Sequence, residues 1–355
     1  MRALKHIFSV FACLVALATT SCAVHEWPDP NPFNVDVTLN LDYKTEMPLY
    51  DIVEQTSRWD KENTDYDIRY TVEFYEMSKE GKFVEDAPDI RKVFVKDHFE
   101  TSDDFKHTVQ LTVPARNYII YVWTDIIPHG DVPVNLFYNA ERFGRVELIM
   151  ENYVGNTDLR DAFTGHTTLD LSGYLHSGMS AEATIESERP MAKVQFITTD
   201  VEEFISKYLA MKEKEVGHKM DADDYTRLLD LQQFTVKVKY SWNMPSSFSM
   251  YEDKPNNSVE APSFETKITP IDKNEASLAF EYVLVNGKSG DQQFDIEVYD
   301  ADERMLSRVR YIPVKILRSH LTIVRSKFLT ADIQGGAVID PGFAPDDDNF
   351  IYWIE

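Results

Sequence analysis

Residues 35–43 read Val-Asp-Val-Thr-Leu-Asn-Leu-Asp-Tyr. Val35, Val37, Leu39, Leu41 and Tyr43 fall on one face, and Asp36, Thr38, Asn40 and Asp42 on the other. A period of two with one apolar and one polar face is the pattern of a half-buried β-strand. The rhythm returns along the chain. Ile68, Tyr70, Val72 and Phe74 make one such face; Phe105, His107, Val109, Leu111 and Val113 make another. Tyr118-Ile119-Ile120-Tyr121-Val122-Trp123 is a continuous apolar run, which predicts a central strand covered on both faces. Shorter strands are expected at 91–96, 145–150 and 166–171. His107, on an apolar face, reads as a packed or edge histidine rather than a ligand.

A boundary is expected near Glu186-Ser187-Glu188-Arg189-Pro190, after which alternation restarts at Ala192, Val194 and Phe196. A helix is predicted over 200–216, where Val201, Phe204, Ile205, Tyr208 and Leu209 share a stripe and Gly217 ends it. A second short helix is predicted from Asp221 to Leu231. Strands then resume at 234–242, 278–284 and 294–298, the last two joined across Asn286-Gly287 by a hairpin-like turn. Many short strands and little helix predict a mainly β fold of antiparallel β-sandwiches, and the length suits two of them. The expected division is 34–188 for an N-terminal domain and 189–355 for a C-terminal one.

Upstream of β-rich sequence, Arg2, Lys5 and His6 precede the apolar run Ile7–Ala18, and Ser21 stands before Cys22. A basic start, a short apolar run and small residues at the cut define a secretory signal. The run is shorter than the roughly 20 residues needed to span a bilayer. Residues 1–21 are therefore expected to be a lipoprotein signal peptide, with Cys22 lipidated and the mature body tethered to a membrane. Residues 22–33 hold three closely spaced prolines, Pro28, Pro30 and Pro32, which predicts an extended tether.

The whole chain of 355 residues carries a formal net charge of −24. Such a surface repels phosphates, which argues against nucleic-acid binding. No Gly-x-Ser-x-Gly, phosphate-cradling glycine loop or His-Glu-x-x-His occurs, so no enzymatic activity, cofactor or metal is expected. Asp346-Asp347-Asp348-Asn349 lacks the spaced ligands and distal Glu of a calcium loop and reads as a solvated acidic turn. Trp242 and Trp353 are assigned to core or edge packing, with stacking on sugars as the alternative.

Several segments carry a resemblance. They are Arg189-Pro190-Met191-Ala192-Lys193-Val194, Tyr240-Ser241-Trp242-Asn243-Met244-Pro245-Ser246-Ser247-Phe248 and His320–Thr330 followed by Val338-Ile339-Asp340. In the first half, Val122-Trp123-Thr124-Asp125 and Asp161-Ala162-Phe163-Thr164-Gly165 join them. Together they resemble the fimbrillin and fimbrial-anchor lipoproteins of Bacteroidales surface pili. The resemblance implies two transthyretin-like β-sandwich domains on an outer-membrane, surface-exposed, lipid-anchored precursor. It also implies a structural and adhesive role with assembly by β-strand exchange. Expected partners are other fimbrial subunits, the membrane through N-terminal acyl chains, and a host or bacterial surface receptor. Arg58 and Lys61 lie where shaft precursors of that family resemble protease substrates, and ordinary surface residues explain them as well.

Strand exchange requires a spare strand and an open edge. Phe350, Ile351, Tyr352, Trp353 and Ile354 form the candidate donor strand, against the default that they finish their own sheet. From Arg304 to Lys327 seven basic residues occur without an acid: Arg304, Arg308, Arg310, Lys315, Arg318, Arg325 and Lys327. They form a candidate basic contact face for an acidic neighbour. The alternative to a fimbrial subunit or anchor is a glycan-binding β-sandwich lipoprotein of an outer-membrane nutrient-uptake system.

Overall fold

The computed structural model describes residues 33–44, 65–85, 87–97, 105–221 and 228–331, together with the backbone of 351–354. The opening alternation becomes strand β1 (Asn34–Tyr43), with Val35, Val37, Leu39 and Leu41 buried. It pairs with two strands of the same sheet, β4 (His107–Pro114) and β9 (Met179–Ser187). A second sheet faces it, in the order β3 (Ile90–Lys96), β2 (Tyr66–Glu76), β5 (Asn117–Pro128), β8 (Ala162–Asp170). The apolar run 118–123 lies in β5, paired on both sides as its two-sided hydrophobicity requires. The core between the sheets holds Val37, Leu39, Tyr70, Phe74, Val122 and Phe163. Gly165 sits where β8 crosses β9. A Cβ there would lie 2.7 Å from the Glu186 carbonyl oxygen, so the crossing needs glycine.

The second half repeats this wiring strand for strand. Its first strand β10 (Met191–Thr198) pairs antiparallel with its fourth, β16 (Ala276–Leu284), and parallel with its seventh, β19 (Leu321–Ser326). In the first half β1 does the same with β4 and β9. The facing sheet runs β14 (Ser263–Lys267), β11 (Thr235–Tyr240), β17 (Ser289–Tyr299), β18 (Met305–Leu317), matching β3-β2-β5-β8. Two short strands extend the first of these sheets, β15 (Thr269–Pro270) beside β16 and β20 (Ile351–Ile354) beside β19. Most pairs are antiparallel. The parallel ones are β1–β9, β10–β19 and β19–β20; in the first two the chain arrives from the facing sheet, so a tight turn does not set direction.

Each half also carries an insertion, and the two insertions find each other. After β5 come β6 (Tyr138–Asn139) and β7 (Val146–Leu148); after β11 come β12 (Asn243–Ser249) and β13 (Lys254–Glu260). They form one sheet in the order β13-β12-β7-β6, with Ser247 opposite Glu147 and Phe248 opposite Val146. Backbone pairing therefore bridges the halves.

Helix α1 (Val201–Val216) forms on its predicted stripe, burying Phe204, Ile205, Tyr208 and Leu209, and stops at Gly217 with φ 78°. Phe204 and Tyr208 each meet Phe234 edge-on, with centroids 5.0 Å apart. Most of the helix expected over Asp221–Leu231 lies outside the described residues; a 3₁₀ turn over Leu231–Gln233 follows. The hairpin expected at Asn286-Gly287 is corrected. β16 and β17 flank that turn but belong to different sheets, so the chain arches over the core there. Turn residues permit reversal; the apolar faces of the two strands choose their partners.

The joint between the halves is built from buried charge. Arg160 and Asp161 are neighbours in the chain, in and just after a 3₁₀ turn, and they reach in different directions. The Arg160 guanidinium pairs with Glu281 on β16, donates to the Tyr153 hydroxyl at 2.9 Å and lies over that ring. Asp161 accepts two bonds from Arg189, at 2.8 and 2.9 Å. Arg160, Glu281, Asp161 and Arg189 are all almost fully buried. Burial pushes the Glu281 carboxyl up to about 7 against the pull of Arg160. Removing one partner of such a pair strands the other in a dry site. Arg160→Met is therefore expected to cost about 3–5 kcal/mol by urea unfolding, and Arg160→Met/Glu281→Leu to recover most of it. Equal costs for the single and double variants would show that the pair itself contributes nothing specific.

Candidate functional site

The residues marked by the sequence as sites are scattered by the fold. Cys22, Arg58, Lys61, Phe350 and the acidic turn 346–349 lie outside the described residues. The backbone of Ile351, Tyr352, Trp353 and Ile354 is described as β20, parallel to β19, with Ile323 opposite Ile351 and Ser326 opposite Ile354. The candidate donor strand thus occupies the edge of its own chain's sheet. Its neighbour β19 alternates: Leu321 and Ile323 join Ile197 in a small apolar cluster on one face, and Val324 enters the main core from the other. An edge patterned in this way offers both backbone groups and side-chain register to an added strand.

The basic run divides between elements. Arg308, Arg310 and Lys315 lie on β18, whereas Arg325 is on β19 in the opposite sheet. Each of several cations meets an acid of its own chain. Arg304 pairs with Glu215 at the end of α1, Arg308 with Glu297, Arg318 with Asp253 and Glu188, Arg325 with Glu275, and Lys327 with Glu203. Lys315 stands opposite Asp291 in the β17–β18 ladder. The structure does not gather the seven into one stripe. Arg308, Arg310 and Lys315 instead place charge on a strand that, among the described residues, pairs only with β17, the usual guard against unwanted edge pairing.

His107 packs its ring on Tyr70, centroids 4.8 Å apart, and burial lowers its pKa from the ordinary imidazole value. A different histidine meets acids. At the end of the β2–β5 pair, the oxygens of Asp67 and Asp97 and a ring nitrogen of His129 come within 4.8 Å of one another. Such donors suit a divalent cation. Asp67 is buried, and His129 Nδ1 lies 2.9 and 3.1 Å from its two oxygens. Separations of 30 and 32 residues hid this cluster from any spacing rule. Only the antiparallel register, with Asp67 opposite Ile127, brings the three together.

Other buried polar residues on the outer face of β2 are also tertiary. Arg69 makes a two-pronged pair with Asp125 at 2.9 and 2.6 Å and binds Asn135. Arg91 pairs with Glu73 and donates to the Ala140 carbonyl at 2.6 Å. These arginines seat the segment that leads into the bridging sheet. Among the described residues no helix is long and apolar enough to cross a membrane.

A family model described as a family of unknown function, DUF6562, matches residues 30–353. Among solved structures, the fimbrial anchor protein Mfa2 from Porphyromonas gingivalis is similar at 11% identity, with 77% of this chain and 81% of that chain covered and a TM-score of 0.35. A candidate cell adhesion protein from Bacteroides eggerthii matches at 11% identity over 91% of this chain and 98% of its own, with a TM-score of 0.40. A candidate adhesin from Bacteroides thetaiotaomicron matches at 14% identity over 80% and 81%, with a TM-score of 0.37. The chain matches none of the curated proteins.

The Asp67 contact yields a pH test. Its hydrogen bond raises the His129 pKa above the ordinary 6.5. A base whose folded pKa is raised adds stability in its protonated form. That stability is full below the unfolded value and is lost as pH climbs through the folded one. Between pH 6 and 8 the melting temperature of the native chain is expected to fall further than that of His129→Asn. Parallel pH profiles would remove the linkage.

Proposed function

The chain belongs to the family of unknown function DUF6562, and we propose, from its own sequence and strand arrangement, that it is a surface lipoprotein of fimbrial type, anchored at Cys22 and assembled through strand exchange. The observation that carries this reading is the place of β20. It is the last described strand, it lies parallel to β19 at a sheet edge, and four register pairs attach it. Residues 327–350 separate it from β19 along the chain. A strand so attached can be lent to a neighbour, and β19 can accept one in its place. Main-chain hydrogen bonds then supply affinity, and the alternation at Leu321, Ile323 and Val324 supplies register.

The sequence at residues 1–22 supports the tether, and the sandwiches suit a mechanical role. Both halves use paired sheets, and a shared sheet with buried ion pairs holds them together. On this reading the partners are other subunits of the same fibre or its base, the membrane through the acyl chains, and a surface receptor.

Two variants test the two parts separately. Cys22→Ala is expected to move the protein from the membrane to the soluble fraction; retention in the membrane would overturn the anchor. Deleting residues 350–355 is expected to leave a cooperatively unfolding monomer that no longer enters high-mass fibres. Collapse of that cooperative transition would instead assign the strand permanently to its own sheet.

A further inference from the structure

Two large aromatic side chains stand in solvent among the described residues: Trp242 is 65% exposed and Tyr311 is 54% exposed. The packing expected for Trp242 is thereby corrected. A single exposed aromatic residue is ordinary; two on one surface beside a cleft form a patch that can take a ligand. Trp242 lies between β11 and β12, and Tyr311 lies within β18, on the far side of β17.

One strand fixes both. On β17, Gln293 Oε1 accepts the Trp242 indole N–H at 2.8 Å. Two residues further, Asp295 Oδ1 accepts the Ser241 hydroxyl at 2.6 Å and the Tyr311 backbone N–H at 2.9 Å. Residues i and i+2 of a strand point the same way and stand about 7 Å apart. The Trp242 indole and the Tyr311 backbone are thus held to adjacent same-face positions of one strand.

Tyr311 is placed there by an uncommon backbone. Its φ is 57°, in the left-handed region that bulky side chains rarely adopt. It sits where the β17–β18 register shifts, opposite the step from Phe294 to Ile296. Such bulges re-aim a side chain, and here the bulge turns Tyr311 outward.

A wide-mouthed cleft of about 660 Å³, floored in part by Pro245 and Pro255, begins at the next residue, Asn243. Its walls include Asn256, Asn257, Ser258, Asp291 and Gln292. Gln292 donates to the Asn243 carbonyl at 3.1 Å, tying the cleft to the same strand that holds the indole. Amides and hydroxyls offer donors and acceptors together, which matches hydroxyl groups. Asp295 stands opposite Lys239 and Asp291 opposite Lys315 across the ladders, so the patch is balanced in charge and suits a neutral ligand.

We propose that Trp242, Tyr311 and the adjoining amide cleft form a binding platform for neutral pyranose glycans. The indole and phenol faces take the C–H face of a sugar ring, and the cleft takes the hydroxyls of its neighbours. The platform lies away from β20, so it stands or falls independently of strand exchange.

The experiment is calorimetric titration of the full mature chain with neutral hexasaccharides of β-1,4-linked glucose, β-1,3-linked glucose and α-1,6-linked mannose. A hexagalacturonate serves as the anionic comparison. At least one neutral hexasaccharide is expected to bind. Trp242→Ala and Tyr311→Ala should each weaken binding about tenfold or more, with melting temperatures unchanged. Asn257→Ala, exposed on the cleft wall, should weaken it independently of either ring, and Tyr311→Phe should bind as the native chain does. Failure of all the neutral probes, preference for the uronate, or native affinity in Trp242→Ala and Tyr311→Ala would overturn the proposal.

Discussion

Arg160 and Asp161 hold the two halves of this molecule as one. Adjacent in the chain, they face apart: the cation onto Glu281 in the second core, the anion onto Arg189 at the start of the second half. Charges buried to this degree are tolerated only when paired and hydrogen-bonded. Arg160 accordingly has Tyr153 and Glu281, and its own carbonyl accepts the Tyr138 hydroxyl at 2.6 Å. Asp161 leads directly into β8, so the same clip sets where the sixth strand of the first sandwich enters its sheet. The arrangement is demanding in geometry, and it admits one relative placement of the halves.

From that clip the rest of the joint follows. The outer face of β2 carries Asp67, Arg69, Thr71, Glu73 and Tyr75, residues that would ordinarily face water, and all are buried. They are covered because the insertion after β5 lies over them before crossing to pair with β12. Tyr251, in the turn after β12, completes the cover, its ring 5.6 Å from Tyr75 and 5.3 Å from Tyr121. Each sandwich repeats the same strand order, yet each diverges at a different connection. The divergent connections are the parts that join. The repeated strand order gives two similar bodies, and the insertions join them.

The surfaces left over divide by chemistry. β18 is an edge guarded by Arg308, Arg310 and Lys315, while β19 has its edge closed by β20. Where β18 bulges, Tyr311 turns outward beside the strand that holds Trp242. The β19–β20 edge and the outward face that carries Trp242 and Tyr311 are distinct surfaces, and they belong to opposite sheets of the second sandwich.

The sequence by itself determined the strands whose two faces differ. The alternation in β1, the two-sided apolar run of β5, and the stripe and stop of α1 are local patterns, each answering to the nearest environment of its own residues. It also carried the fold class, since many such strands without helices can bury their faces only as sheets against sheets. It did not carry the partners. Asn286-Gly287 reads as a hairpin and spans two sheets; β12 and β13 have weak alternation because they serve a joint; seven cations in one run divide among β18, β19 and the loops beside them. Asp67, Asp97 and His129, or Trp242 and Tyr311, become neighbours only through register. Tertiary structure decided these matters because pairing, crossing and burial of charge are settled by free energies summed over residues far apart in sequence, and no local pattern contains that sum.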